Sequence, residues 1–363
     1  MVYSKKPGVY FTESVGRVNA QQDDIPLFIV QTSTALTIDG EYTLFDSITS
    51  FQTLVDGKGL TYTADTIEQA LKEIGNTTTK FYVYSIKTDT SAAFTQVVTD
   101  SDNIPEISEI YYIEEAKSAS GNAILSKCNA LQLGCTNSYA KGINKIAYVV
   151  PYGTISDTYS NAESDAVGAV VTALRGLGEA VAGNRLALIN PDNYAGAVIG
   201  KVYKTPYNED VGYDNINTGI GELTYQYTDS QELTLMNSGV LLITSELRQG
   251  IKINRILLGV STAFSTTAAD GQLTVRRTAD AVLNDVKDAC DPFVKARTNE
   301  QNITFLQTDI DTIIEAAVER GDIQEEGSEL TVSQGADDYT FNVVGTLKPA
   351  RAVIAIEVNT TIN

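Results

Sequence analysis

Short apolar runs recur along this chain with helix-length stretches between them, and that alternation limits the fold more than any other feature. The runs are PLFIV (residues 26–30), FYVYSIK (81–87), IYYI (110–113), KIAYVVP (145–151) and RLALINP (185–191). They are rich in β-branched and aromatic residues and nearly continuous in hydrophobicity, as strands buried on both faces are. Helical periodicity fills the gaps. A helix is expected near Asp65, with Asp65 as N-cap and Glu68 completing a capping box. Ile67, Ala70, Leu71 and Ile74 share its apolar face, and Gly75 ends it. Further helices are expected over residues 92–98, 116–133 and 160–182. Strand, helix, strand at these lengths is a crossover unit, which argues for an α/β sheet with helices on its faces.

The remainder has a different rhythm. Residues 192–227 are rich in Tyr, Asn and Gly and read as long loops or irregular strands. A helix over 229–237 is stopped by Ser238-Gly239 and followed by the strand VLLITS. IKINRILLGVST (251–262) reads as a strand pair or one bent strand. A helix from about Val275 turns Ala279, Val282, Leu283, Val286, Ala289 and Cys290 inward, and Pro292 ends or kinks it. A second helix, Asp309 to Arg320, buries Ile310, Ile313, Ile314, Ala317 and Val318 and stops at Gly321. Strands over 330–332, 339–344 and 350–358 close an α+β module.

Composition removes several classes of function. The 363 residues exceed one compact core, and about two domains are expected. There are 26 basic and 46 acidic residues, a net charge of −20, the wrong sign for wrapping nucleic acid or holding an anionic membrane. The same charge makes copies of the chain repel one another. No histidine is present, which excludes Ser-His-Asp and Cys-His catalysis and any histidine-ligated metal. Cys128, Cys135 and Cys290 lack metal spacing and read as buried free thiols, Cys128 lying in an apolar pattern with Ile124, Leu125 and Leu131. Lys5 and Lys6 precede no apolar stretch, so neither a signal peptide nor a membrane span is expected. RGLGEAVAG (175–183) sits at a helix end without phosphate-loop spacing, and NEDVGYDNIN (208–217) does not fit an EF-hand. No cofactor is expected.

Strand-prone segments lie at both ends. Val9 to Thr12 follows Lys5-Lys6-Pro7-Gly8 and is trailed by polar, pattern-poor sequence. In ARAVIAIEV (350–358), Ala352, Ile354, Ile356 and Val358 form one wholly apolar face. An unpaired strand edge invites pairing with another chain. Either a distant part of the same chain or a second chain must therefore cover these segments, and the residues alone favour pairing at home.

The order of segments resembles a contractile tail sheath protein, of the phage and phage-tail-like kind. PGVYFTE resembles that family's opening P-G-V-Y-x-x-E. FYVYSIK, YVVPYG followed by a helix and RLALINP, TDSQELTLMNSGVLLITSE, INRILLGVST and LTVRRTADAVLNDVKDACDPFV resemble its successive blocks in order. The resemblance implies an α/β outer domain (residues 21–245) plus an α+β inner C-terminal domain (246–349). It also implies two extended strand arms, 1–20 and 350–363. It implies that Val9, Tyr10 and Phe11, and Val353, Ile354, Ile356 and Val358, join sheets in neighbouring subunits by β-augmentation. Partners would be further copies in a helical array, an inner tail tube, and baseplate and terminator proteins, with assembly in a bacterial cytoplasm into a tail or a released particle. Arg276, Arg277, Lys287, Lys295 and Arg297 concentrate positive charge in an acidic chain. They would face the tube, or else form a solvated helix face whose ion pairs contribute about 0–1 kcal/mol each. The rival readings are an α/β enzyme using carboxylate, Lys or Tyr chemistry in a cleft behind Pro151 and Pro191, and a surface-layer or adhesin protein.

Overall fold

The apolar runs become neighbouring strands of a single sheet. The computed structural model describes residues 25–32, 36–75, 80–87, 90–115, 121–151, 166–190, 192–212, 216, 223, 226–248, 251–264, 271–296, 298–335 and 340–351. In chain order the elements are β1 (Leu27–Gln31), β2 (Tyr42–Phe45), α1 (Ile48–Val55), α2 (Thr61–Ile74), β3 (Phe81–Ile86), α3 (Ser91–Asp100), β4 (Glu109–Ile113) and α4 (Gly121–Tyr139). There follow β5 (Ile146–Val150), α5 (Ala166–Ala180), β6 (Leu186–Asn190), α6 (Ala195–Lys204), α7 (Asp229–Asn237), β7 (Val240–Arg248) and β8 (Ile251–Ile256). The last elements are α8 (Leu273–Cys290), α9 (Glu300–Glu319), β9 (Glu329–Gln334) and β10 (Phe341–Thr346).

The large sheet has eight strands in the order β2-β3-β1-β4-β5-β6-β7-β8. The six from β3 to β7 are parallel, while β2 and β8 pair antiparallel at the two edges. Strand alternation divides the apolar residues between two faces. Phe28, Val30, Tyr111 and Tyr148 face α1, α2 and α6, whereas Leu27, Ile29, Tyr112 and Val149 face α3 and α4. Covering both faces is what lets the strands be apolar throughout. Cys128, Cys135 and Cys290 are buried free thiols, as expected. Burial pushes the Cys135 thiol up to about 12 and the Cys290 thiol up to about 11.

Two local expectations need correction. Helix α2 begins at Thr61, so Asp65 lies inside it and forms no capping box. The cap comes from elsewhere: the Glu115 carboxylate accepts from the Tyr62 and Thr63 backbone N–H groups at 2.9 and 2.6 Å. A carboxylate at a helix N-terminus satisfies orphan donors and meets the positive end of the helix dipole. The end of the helix is as expected, with Gly75 at φ 81° closing it.

The stretch after Pro191, expected to be irregular, contains the buried helix α6. Its glycines are what disguise it. A Cβ at Gly196 would lie 2.2 Å from the Thr66 carbonyl oxygen, and one at Gly200 would lie 2.3 Å from that of Ala70. The two glycines let α6 lie directly against α2, and the Gln69 side chain then accepts from the Ala197 N–H at 3.0 Å. Because Ala70 O is backbone, Gly200→Ala should force the helices apart and destabilise the protein by about 1–3 kcal/mol in urea unfolding. Gly176→Ala on α5, where nothing lies within 4 Å, is the matched control and should be neutral or stabilising.

A second, smaller core lies towards the C-terminus. Val286, Cys290, Leu306, Ile310, Leu330 and Val332 form it, with Phe293, Phe341 and Val343 against them. Strand β7 runs unbroken across the 245/246 boundary expected from the sequence. Ile256 and Leu273, beyond that boundary, belong to the core of the large sheet. Helix α8 therefore serves both cores, its first half the large sheet and its last turns the smaller one.

Candidate assembly interface

Val9, Tyr10, Phe11, Val353, Ile354, Ile356 and Val358 lie outside the described residues, as do Arg297, the Lys295 side chain, and residues 152–165 and 191 of the expected cleft. What the structure describes is the surface such arms could meet and how it is held.

The basic group on α8 requires a correction. Arg276 and Arg277 are 1% and 3% exposed and face the interior of their own subunit, so neither is available to a tube. Arg277 donates to the carbonyls of Val202, Thr205 and Pro206 at 3.4, 2.7 and 3.4 Å. It thus places a cation at the C-terminus of α6, the negative end of that helix. It also stands 3.8 Å from Glu109. Burial raises the Glu109 carboxyl, and the Arg277 charge and the Tyr111 hydroxyl work against that shift. Arg276 and Arg185 share the Asp280 carboxylate, which is fully buried; the Arg185 contacts are 3.1 and 3.3 Å. Both guanidiniums lie over the Tyr139 ring, at 4.4 Å for Arg185 and 5.6 Å for Arg276. Only Lys287 of the described group is half-buried, 3.4 Å from the Gly142 carbonyl. Nearby, burial would raise Asp102, but hydrogen bonds from Lys141 and Lys145 hold it below the usual carboxylate range, while burial lowers Lys145. Asp280 with Arg185, and Arg277 with Glu109, tie α8 to the large sheet; Arg276 and Arg277 are not a surface.

The other end of α8 carries the two-stranded sheet. Strands β9 and β10 pair antiparallel from Glu329–Thr346 to Gln334–Phe341. Leu330 and Val332 face the small core, with Phe341 and Val343 partly buried beside them. Val344, on the opposite face, is 65% exposed. The Gly335 N–H donates to the Thr340 carbonyl at 2.8 Å, which sets the phase of the ladder. Glu329, Thr331 and Ser333 are thereby hydrogen-bonded to β10, and Leu330, Val332 and Gln334 point their N–H and C=O groups to the outer edge of β9. On β10 the outward set is Phe341, Val343 and Gly345. Among the described residues no strand pairs with either outer edge.

Beyond β10 the chain is tied to the segment that precedes β9. The Gln324 N–H donates to the Lys348 carbonyl at 2.8 Å, the Ala350 N–H donates to the Asp322 carbonyl at 2.8 Å, and Ile323 bridges Pro349. Residues 348–350 thus lie beside the C-terminal end of α9.

Sequence reasoning missed Asp280 and also Gln307, whose side-chain amide accepts from the Val332 N–H at 2.7 Å and donates to the Leu330 carbonyl at 2.9 Å, though both left a signal. Arg276 and Asp280 have the i, i+4 spacing of a helical ion pair. Ile303 and Leu306 extend the Ile310 stripe of α9 backwards to Asn299, whose side chain accepts from the Asn302 N–H at 2.8 Å and caps the helix.

The overall fold is that of sheath proteins from contractile particles. The chain superimposes on the anti-feeding prophage helical sheath in its contracted state with a TM-score of 0.64 at 16% identity, covering 99% of each chain. It matches the sheath of the extracellular contractile injection system PVC, also contracted, with a TM-score of 0.66 at 13% identity over 99% of this chain and 98% of that one. A sheath tail protein from Listeria innocua matches at 0.61 and 9% identity, over 91% and 93%. No protein-family model and no curated protein matches the sequence. Among the described residues no helix is long and apolar enough to cross a membrane.

Proposed function

We propose that this chain is the subunit of a contractile sheath. The observation that carries the proposal is the agreement of fold along 99% of both chains with a sheath protein. The terminal segments 1–20 and 350–363 act as arms that add strands to the β9–β10 sheet of neighbouring copies. Backbone hydrogen bonds supply the affinity and alternate side chains the register. A head-to-tail contact of this kind repeats with a rise and a twist and so builds a helical tube. The arms keep the mesh continuous while the folded bodies rotate and slide from an extended to a contracted arrangement, driving an inner tube through an envelope. The work comes from differences in contact between the two arrangements, and the chain acts as a structural protein. Baseplate and terminator proteins bound the array.

The test is negative-stain microscopy of the purified chain, with hollow ribbed cylinders as the expected result. A persistent monomer at high concentration and high salt overturns the reading. Because each copy carries a net charge of −20, cylinders should form at lower protein concentration as salt rises. Screening shortens the reach of the repulsion to about 10 Å at 0.1 M and about 3 Å at 1 M salt.

A further inference from the structure

Four side chains meet where β1 and β4 leave the large sheet: an amine, an amide, a carboxylate and a phenol. We propose that Lys127 and Gln31 join in an isopeptide bond, with Glu114 carrying the proton and the Tyr112 hydroxyl holding the reacting carbonyl oxygen. The bond forms within one subunit, whatever that subunit assembles into.

Ile29 of β1 stands opposite Tyr112 of β4. Gln31 and Glu114 lie two residues further along, so the strand period turns Gln31, Tyr112 and Glu114 to the face that α3 and α4 cover. Lys127 meets them from α4. It is the one charged residue in that helix's sequence, GNAILSKCNALQLGCTNSY, and it is buried. Its ammonium donates to the Gln31 Oε1 at 2.8 Å and to the Tyr112 hydroxyl at 3.1 Å. The Tyr112 hydroxyl donates to the same Gln31 oxygen at 3.0 Å. A carboxylate oxygen of Glu114, itself buried, stands 3.6 Å from the Lys127 Nζ. The Phe94 and Tyr112 rings lie 5.9 and 5.6 Å from that nitrogen. The Gln31 Cδ is one carbonyl bond, about 1.2 Å, beyond the oxygen that Nζ already touches, so a turn of the amide brings nucleophile and electrophile together. A carboxylate alone would partner Lys127; the amide carbonyl set between the amine and a hydroxyl donor adds an electrophile.

The step balances without an oxidant or a co-reactant. The Glu114 carboxylate takes a proton from Nζ, which turns a buried ion pair into two neutral groups. The Nζ lone pair then attacks the Gln31 Cδ: the new C–N bond forms, and the carbonyl electron pair moves to Oε1, where the Tyr112 hydroxyl steadies the developing charge. Glu114 passes a proton to the amide nitrogen Nε2 and takes one from Nζ. The Cδ–Nε2 bond breaks, and ammonia leaves with the proton that Glu114 holds, as ammonium, so that the carboxylate is restored. Holding both partners in contact replaces an encounter that would be very slow between free side chains. The product ties the end of β1 covalently to α4, and with it the middle of the sheet to the helix layer over it. Closing so long a loop restricts the unfolded chain.

Intact mass spectrometry of the purified full-length chain, unfolded in acid, tests this. The chain should weigh one ammonia less than its sequence, and tandem mass spectrometry of a protease digest should find the β1 and α4 peptides joined through Gln31 and Lys127. Lys127→Arg and Gln31→Ala should each return to the mass of their own sequence. Glu114→Gln keeps the shape of the carboxylate but cannot carry the proton, and it should also stay at its sequence mass. A wild-type mass equal to that of the sequence overturns the proposal, as does a lost ammonia that maps to any other pair of residues. A bond retained in Glu114→Gln overturns the role given to the carboxylate. The wild-type mass and peptide map decide the bond even where a variant fails to fold, and they do so whether or not the chain forms cylinders.

Discussion

Deleting residues 1–20 should give a subunit that folds normally and cannot polymerise. The thermal transition should stay close to that of the intact chain, while gel filtration returns a monomer and microscopy finds no cylinders. The folding half of this expectation comes from the ladder around the first strand. β1 is paired along its length with β3 and from Leu27 to Ile29 with β4, so it has no free side for a segment just upstream. Its two faces are filled by Phe28 and Val30 against one helix layer and by Leu27 and Ile29 against the other. The assembly half follows from what an arm supplies. On the sheath reading proposed above, a strand of Val9 to Thr12 would contribute a few backbone hydrogen bonds, each worth about 0.5–1.5 kcal/mol net. Such a contact is modest singly but repeats at every subunit of an array that must also overcome a net charge of −20 per copy. A mesh built by head-to-tail arms loses its connection at every node when the arm is absent. A collapsed thermal transition in the deletion variant would mean that the arm completes its own subunit, and the mechanical account would fail with it.

The large sheet was legible because its strands obey one rule. A strand covered on both faces must be apolar at nearly every position, and FYVYSI, IYYI, IAYVV and LALIN meet that demand. The misreadings occur where distant partners replace local chemistry. Helix α2 has no side-chain cap of its own because Glu115, more than 50 residues away, supplies one. Helix α6 carries glycines that read as loop, since nothing local reveals that they accommodate the backbone of α2. Arg276 and Arg277 read as surface charge because arginine usually is exposed. Here Asp280, brought beside Arg185 by the fold, and the carbonyls at the end of α6 hold them inside. The two-stranded β9–β10 sheet was legible as a pair of strands, but the side-chain amide bonded to the outer edge of β9 was not. That depends on Gln307 reaching across from a helix whose first nine residues the sequence reading left out.

Asp280→Ala should be the most damaging single substitution, lowering stability by about 3–5 kcal/mol in urea unfolding. The carboxylate is 0% exposed and lies between two guanidiniums that share one tyrosine ring. Removing it takes the shared carboxylate from two buried cations that stand side by side. The loss should be nearly independent of salt, because screening acts weakly on groups that solvent does not reach. Combining Asp280→Ala with Arg276→Met should cost much less than the sum of the two, since the second change removes one of the two cations that shared the carboxylate. A loss below about 1 kcal/mol, the range of a surface pair, would mean that the site is hydrated and the anchor unimportant. The substitution also separates stability from function. The Arg185–Asp280 pair holds the first half of α8 to the large sheet, and the last turns of α8 carry the core beneath β9 and β10. A subunit that remains folded but has this anchor loosened should still accept a neighbour's strand and form cylinders. On the sheath reading proposed above, those cylinders should have irregular pitch, because α8 carries the core beneath the β9–β10 sheet.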